Sequence, residues 1–474
     1  MSLPAGFAVR LSSRTKVCDG GRALVGGSRG SVLYLSDAAV DLLDGDQVVR
    51  AQPGDATTLA RLLLDRGFAE PWWPDPAGPD SDVLDVTVVV PVRDRASDLA
   101  LLLQALPRSV PVVVVDDGSR DRGSIARVAG DRDGLLVVHD VNRGPAAARN
   151  TGLRHVTTPF VAFCDSDVVP DAGWLATLRR HLDDPALALV APRVLGPPRC
   201  PDDTWVERYE QARSSLDLGP EPSAVRQQGV VAYLPSACLL ARVDVLNRAG
   251  GFDESLRCGE DVDLVWRLLA AGAGVRYEPA ATVRHRHRAG LREWLGRKAF
   301  YGTSAAPLAA RHGAAVAPLV ISPWTAVFAG ALLAQRRWSV PVALAAASVA
   351  TAGTARRLGR SERPVRAAAV LTLEGSVAVL WQTSAALTRH YWPLAALAAT
   401  RSRRARRALV VAAVAEGLAD RRRVGSDLDP ARYVLARRLD DLAYGSGVWS
   451  GALRSRSLRA LAPDLRRPRR RATP

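Results

Sequence analysis

The sequence predicts an α/β protein with a mostly parallel sheet, preceded by a small domain and followed by an alanine-rich helical region. Three observations predict it. Apolar, β-branched runs alternate with helical stretches from Val83 onward, acidic blocks fall at the ends of those runs, and beyond about residue 310 the texture turns alanine-rich and apolar. Strand–helix–strand alternation implies parallel strands with helices on both faces. Ligands of such sheets sit beyond the carboxyl ends of the strands, where the acidic blocks lie.

At 474 residues the chain has room for two or three domains of roughly 100–200 residues each. Residues 1–72 hold short apolar runs, then LYLSDAAVDLLDGDQVVR and TTLARLLLDRGFAEP, where leucines recur at helical spacing before a stop signal at Gly67. A small α+β domain of short strands and two or three helices is expected. Residues 73–84, overlapping the proline- and aspartate-rich stretch PWWPDPAGPDSD at 71–82, read as a linker. The core domain is expected over 85–310. Its strands are predicted at Val86–Val90, Val110–Val115, Leu135–His139 and Phe160–Phe163, with helices such as Ser97–Leu106 and Ala146–Val156.

Residues 311–400 are expected to form apolar, membrane-associated helices, and 401–474 a basic helical tail. Ala314–Gln335 and Trp338–Ala355 are 22 and 18 residues without a charge, bracketed by Arg336, Arg337, Arg356 and Arg357, and Glu374 interrupts a third apolar stretch. Each approaches the roughly 20 residues that cross a bilayer, so two or three membrane helices or re-entrant hairpins are expected, against a soluble helical appendage.

The formal charge of +16 invites a nucleic-acid reading, yet Lys16 and Lys298 are the only lysines, and much of the excess lies beyond Arg286. Basic segments beside apolar ones more often meet anionic lipid or solvent, and no nucleic-acid partner is expected. Five cysteines, at 18, 164, 200, 238 and 258, include no CxxC pair. This points to a reducing compartment and away from a disulfide framework or structural zinc. The opening MSLPAGFAVRL lacks a signal peptide's apolar core. From these the catalytic portion is expected at the cytoplasmic face of the cell membrane.

The chemistry is read block by block. Val112–Val115 runs into Asp116-Asp117-Gly118-Ser119, a strand-to-loop turn whose carboxylates can accept hydrogen bonds from a uracil or ribose. Asp and Gly are also ordinary turn residues. Asn142 to Asn150, NRGPAAARN, opens a helix at Gly144-Pro145; helix N-termini favour phosphate, and Arg149 can hold a charged donor. In Phe160 to Asp167, FVAFCDSD, an apolar strand ends in Asp165 and Asp167, separated by one small residue so that both can reach one hard cation. Mg²⁺ or Mn²⁺ takes oxygen ligands and bridges a diphosphate, neutralising it as it leaves.

The sequence GGFDE at 250–254 forms a turn, and Gly259-Glu260-Asp261-Val262-Asp263 starts a helix with Leu264, Leu268 and Leu269 on one stripe. Acidic residues there serve as caps and dipole partners. The functional reading places Glu260 and Asp261 at the catalytic centre, with Asp261 the general base that takes the acceptor hydroxyl proton, and Asp263 beside the acceptor. His285, with His287 as the alternative, can complete the metal shell. Trp205 and Ser236 are acceptor-side candidates, the tryptophan as a stacking platform or as buried packing. Pro91 ends the first strand near the donor.

PVRDR at 91–95, DDGSRD at 116–121, the NRGPAAARN helix, DSD at 165–167, GGFDE and GEDVDL resemble the family-two inverting glycosyltransferases over roughly residues 86–300. The resemblance implies an A-type, Rossmann-like nucleotide-sugar fold, a UDP-sugar donor, a divalent metal at Asp167, a base at Asp261 and a displacement that inverts the anomeric centre. Arg93 stands where many relatives carry an aromatic, which leaves uracil stacking open. LSDAAVDLLDG followed by LARLLLDRGFAEP resembles the small winged-helix domains that bind leader peptides. The whole arrangement is similar to the glycosyltransferase family of the mycofactocin biosynthetic system, which implies β-1,4-linked glucose added to a peptide-derived redox cofactor or its precursor. Two other functions compete: an envelope transferase acting on a lipid-linked or polysaccharide acceptor, and a non-catalytic peptide-binding scaffold.

Overall fold

The computed structural model describes residues 2–27, 31–43, 45–286 and 290–466. The chain falls into two compact units, Met1–Pro198 with Arg213–His287, and Arg199–Ala212 with Arg288–Pro474.

The first unit opens with two small sheets. Strand Ala8–Leu11 lies between Val48–Arg50 and Ala69–Trp72, antiparallel to both, and Lys16–Cys18, Ala23–Gly26 and Ser31–Tyr34 form a meander. Helix Asp55–Arg66 buries Leu59, Ala60, Leu63 and Leu64, the predicted leucine stripe. It stops where Gly67 turns left-handed and its N–H bonds back to Leu63 and Leu64. These leucines join Val9, Leu24 and Phe68 in one apolar core.

The proline-rich stretch that follows is anchored. Asp80 is buried and accepts hydrogen bonds from the N–H groups of Gly173 and Ala176, at 3.0 and 2.8 Å, capping helix Trp174–Arg179. Trp73 packs edge-on against His181 at 4.7 Å, and the ion pairs Arg61–Asp184 and Arg276–Glu70 tie the small sheets to the main one.

The main sheet is built from β1 (Val86–Val92), β2 (Val112–Asp116), β3 (Leu135–Val138), β4 (Phe160–Cys164), β5 (Val168–Pro170), β6 (Leu187–Leu195), β7 (Cys238–Arg242) and β8 (Gly274–His285). The order across it is β5-β8-β6-β7-β4-β1-β2-β3, with the short strand Ser223–Ala224 beside β8. Strands β1 to β4 are parallel and joined by α1 (Ala96–Ala105), α2 (Arg122–Gly130) and α3 (Pro145–Leu153). Both faces of β1 and β2 are covered, so VTVVVPV and VVVVD are buried almost throughout.

Beyond β4 the pattern changes. β7 runs antiparallel to β4 and β6, and β5 antiparallel to β8, while β6 and β8 are parallel, so antiparallel strands are set into the mostly parallel sheet. Alternation holds where a helix returns the chain, but β5 follows β4 after three residues, with no crossover helix between them. Helix α3 lies so close to β1 that a Cβ at Gly152 would sit 2.2 Å from Val89 Cγ1.

The second unit is helical. Trp294, Tyr209 and Tyr433 form an aromatic core with Val206 and Leu428, and Arg437 is buried among Glu416, Asp420 and Asp441. The apolar stretches differ from the expectation. Ala314–Gln335 yields the 12-residue helix Pro323–Ala334, about 18 Å long at 1.5 Å per residue, against the roughly 30 Å of a bilayer core. Trp338–Ala355 yields Ser339–Arg357. Among the described residues one helix is long and apolar enough to cross a membrane, Pro364–His390, and it contains Glu374.

Candidate active site

The polar blocks converge at the carboxyl ends of β1, β2 and β4. Asp116, last residue of β2, is fully buried. Its Oδ1 accepts the Ser119 N–H at 2.9 Å, while Oδ2 is buried without a protein partner. A buried acceptor left open is costly, and a ligand offering a donor there satisfies it. Pro91, half-buried near the end of β1, pairs in register with Val115. Arg93 follows, about half exposed and near Asp94.

Asp117 differs from its neighbour. It is buried, and its carboxylate accepts from His139 Nδ1, Arg143 N and Gly144 N, each at 2.8 Å. The expected donor contact is therefore corrected: Asp117 shapes the turn that begins α3. Gly144, the N-cap of α3, has its N–H turned onto Asp117 and Asn142.

Arg149 requires a second correction. It is almost wholly buried, and its guanidinium joins Asp165 at 2.6 Å to Glu260 at 3.0 Å. Burial opposes its charge, but the two carboxylates outweigh burial and raise its pKa. It braces two motifs, and at 2% exposure it is committed to them rather than to a donor. Glu260, committed to the same pair, is a positioning residue. Burial pushes the Asp165 carboxyl up, with Arg149 holding it partly down.

Asp165 and Asp167 therefore part company. Asp167 pairs with Arg95 and lies 3.5 Å from His285 Nε2. The β5–β8 pairing sets Val168 opposite His285 and so brings a distant histidine to the DSD turn. His285 Nδ1 is buried without a partner. His287 lies outside the described residues. Among the described residues no group of three His, Cys, Asp or Glu side chains is arranged to hold a metal. The donor set that remains for a cation is Asp167 and His285, at a cavity of about 240 Å³ also lined by Asp98, Arg284 and Arg286. One carboxylate and one imidazole fit Mg²⁺ or Mn²⁺ when substrate phosphates supply further oxygens.

The base candidate stands at the first turn of α4 (Glu260–Ala270). Asp261 accepts from Val262 N at 2.8 Å and Ser236 N at 3.1 Å. Burial, then the neighbouring Glu260 charge, push its carboxyl up to about 7. Such a group takes protons near neutral pH. Ser236 contributes its backbone N–H, which fixes that carboxylate.

Asp263, expected at the acceptor, is corrected as well. It is buried and held by Arg267 at 2.7 Å, and Arg267 also bonds the carbonyls of Ala249 and Gly251. The pair braces the GGFDE turn. Asn150, at the end of the NRGPAAARN block, clamps that turn from the other side through Phe252 N and O. Gly251 sits at φ +66, and a Cβ there would meet Asn150 Oδ1 at 2.6 Å. Trp205 lies in the helical unit, edge-on to Trp294 at 6.2 Å, so packing accounts for its ring.

Sequence reading missed Arg95, Asn150 and His139. Arg95 and Asn150 stood inside quoted motifs; nothing local showed that Arg95 would meet Asp167, 72 residues on.

An open acceptor at a strand end, a carboxylate–imidazole pair and a carboxyl titrating near neutrality are what a group transfer from a nucleotide-linked donor requires. The family model described as "Glycosyl transferase family 2" matches residues 87–248, and a full-length relative extends the likeness: the chain belongs to the family-two glycosyltransferases and is an enzyme of that class. The particular likeness is to "Pre-mycofactocin glycosyltransferase" of Mycobacterium tuberculosis, in strains CDC 1551 and H37Rv, at 46% identity over 98% of this chain and 99% of the relative. "Succinoglycan biosynthesis protein ExoU" of Rhizobium meliloti is 30% identical over 48% of this chain and 70% of its own. Among solved structures, mannosyltransferase PcManGT from Pyrobaculum calidifontis, in complex with GDP-Man and Mn²⁺, covers 63% of this chain and 91% of its own at 22% identity and a TM-score of 0.38, a partial likeness from which nothing is drawn.

Proposed function

We propose that this glycosyltransferase transfers glucose from UDP-glucose onto the peptide-derived precursor of mycofactocin, with inversion and as a β-1,4-linked oligosaccharide. The observation that carries the reading is the likeness over nearly the whole chain to a transferase named for that acceptor. The site geometry supports the chemistry. Asp116 Oδ2 offers an unmet acceptor to a nucleoside N–H or O–H. Asp167 and His285 would hold a Mg²⁺ or Mn²⁺. The bound cation would supply charge neutralisation for the departing diphosphate. Asp261 takes the proton from the acceptor hydroxyl as its oxygen forms the new bond to the anomeric carbon and the UDP oxygen leaves from the opposite face. Arg149 holds the DSD turn and the start of α4 together through Asp165 and Glu260.

The catalytic unit is proposed to work at the cytoplasmic face of the cell membrane. The sequence supports a reducing compartment, since its five cysteines include no CxxC pair. A second acceptor reading, a lipid-linked glycan, has support from the apolar helix Pro364–His390. Incubation with UDP-glucose, Mn²⁺ and either the mycofactocin precursor or a lipid-linked acceptor, followed by mass spectrometry, tests both. The expected product is the precursor heavier by one or more hexoses. Transfer to the lipid acceptor alone overturns the first reading in favour of the second.

A further inference from the structure

Helices Pro323–Ala334, Ser339–Arg357 and Pro364–Ala385 are amphipathic in the reverse sense. In Pro364–Ala385 the inward residues are Ala368, Thr372, Ser376 and Val379. Thr372 and Ser376 are 7% and 8% exposed, while Leu373 and Val377 are 65% and 58% exposed. Ser339–Arg357 repeats this, burying Ser339 and Ala343 while Val340, Leu344 and Val349 point out. Small and hydroxyl residues make the contacts between them: Thr351 donates to Thr372 at 3.1 Å, and Gly375 lies against Trp324. Water favours the opposite arrangement. Lipid favours this one, because small and hydroxylated residues are the packing surface of helices among acyl chains.

The charges decide how the bilayer is met. One end of Ser339–Arg357 carries exposed Arg336 and Arg337, and Gln335 joins it to the exposed Arg403, Arg404, Arg406 and Arg407 segment through Arg404 O and the Arg407 guanidinium. The other end carries exposed Arg356, Arg357, Arg360, Arg363 and Arg366. From 336 to 407 there are thirteen arginines and two glutamates, 13 − 2 = +11 of the chain's +16. A spanning helix would place one of these arginine clusters on the outer side, against the bias that keeps basic residues inside. Lying within one leaflet, arginines at both ends reach phosphate headgroups while the aliphatic face enters the acyl layer.

We propose that these three helices form a wedge embedded in one leaflet of an anionic phospholipid bilayer, with both arginine clusters on the same side. The proposal does not rest on the sugar or the acceptor. Its test uses the full-length protein and vesicles of phosphatidylcholine alone or mixed with phosphatidylglycerol, read by flotation. Binding is expected to be at least about tenfold stronger to the anionic vesicles, and to fall by about tenfold or more in L373D/V377D, at exposed positions. An unchanged circular dichroism spectrum and thermal midpoint report that the variant has folded. Equal binding to both vesicle types, or an unaltered double variant, overturns the proposal. In inverted membrane vesicles of the C200S chain, R337C and G359C should both react with an impermeant maleimide. Labelling of only one means that the segment crosses, and that result also overturns the proposal.

Discussion

Replacing Asp261 by Asn should stop transfer while stabilising the protein, and the two effects share one cause. The carboxyl is pushed from 3.8 to about 7 by burial and by Glu260. A base works ionised, so kcat/KM should fall as pH drops through about 7. Between pH 8 and pH 6 the ionised fraction falls about tenfold, from roughly ten-elevenths to one-eleventh. Asp261→Asn should lower kcat by about 10²–10⁴ and abolish that limb. For stability the sign is opposite. A folded-state pKa above the ordinary one means the fold holds the proton more tightly, so its contribution is intact below about 4 and is lost as pH rises to about 7. The shift of 3.2 units (7 − 3.8) sets a ceiling of about 4 kcal/mol at pH 8. Losing one acceptor toward Val262 or Ser236 offsets about 1 kcal/mol of it. The thermal midpoint of the Asn variant should thus exceed wild type at pH 8 and match it at pH 4. Glu260→Gln should move the kinetic limb to lower pH, since a repelling charge is gone. An Asn variant with an unchanged acid limb, or one no more stable at pH 8, would refute the role and the burial argument respectively.

Other outcomes follow from the same geometry. Asp167→Asn and His285→Ala should each weaken Mn²⁺ binding in the presence of UDP by about 10–100-fold, read by electron paramagnetic resonance; unchanged binding by both places the cation elsewhere. Arg95→Gln should tighten Mn²⁺ binding in the absence of UDP, because the guanidinium competes for the Asp167 carboxylate; weaker binding in the variant would mean that Arg95 holds the carboxylate in its receiving position. Arg149→Met leaves the buried Glu260 and the part-buried Asp165 without their shared cation and should cost about 3–5 kcal/mol, seen as a lower denaturant midpoint than that of wild type.

The parallel half of the sheet was legible because its strands are continuous apolar runs and its helices begin at signals such as Gly144-Pro145. The leucine stripe of Asp55–Arg66 and its Gly67 stop were legible for the same reason: 3.6-residue periodicity and a left-handed cap are local properties. The half beyond β4, where β5 and β7 run against β6 and β8, was not, since pairing direction there depends on how the chain returns from outside the sheet. At the site, the residue types were legible and the division of labour was not. Asp116 and Asp117 are adjacent in sequence and alike in chemistry, yet one is left open and the other is saturated by His139, Arg143 and Gly144. Asp165 and Asp167 are likewise split, between Arg149 on α3 and His285 on β8.

By itself the sequence determined the family, the α/β class and the positions of the acidic blocks, because strand ends, turns and helix starts are set by residues a few places apart. Tertiary structure alone decided which carboxylates remain available, since that depends on cations brought from far along the chain: Arg149 to Glu260 and Arg95 to Asp167. It also decided that the alanine-rich helices turn their large aliphatic side chains outward. Composition counts apolar residues but cannot say which way they face.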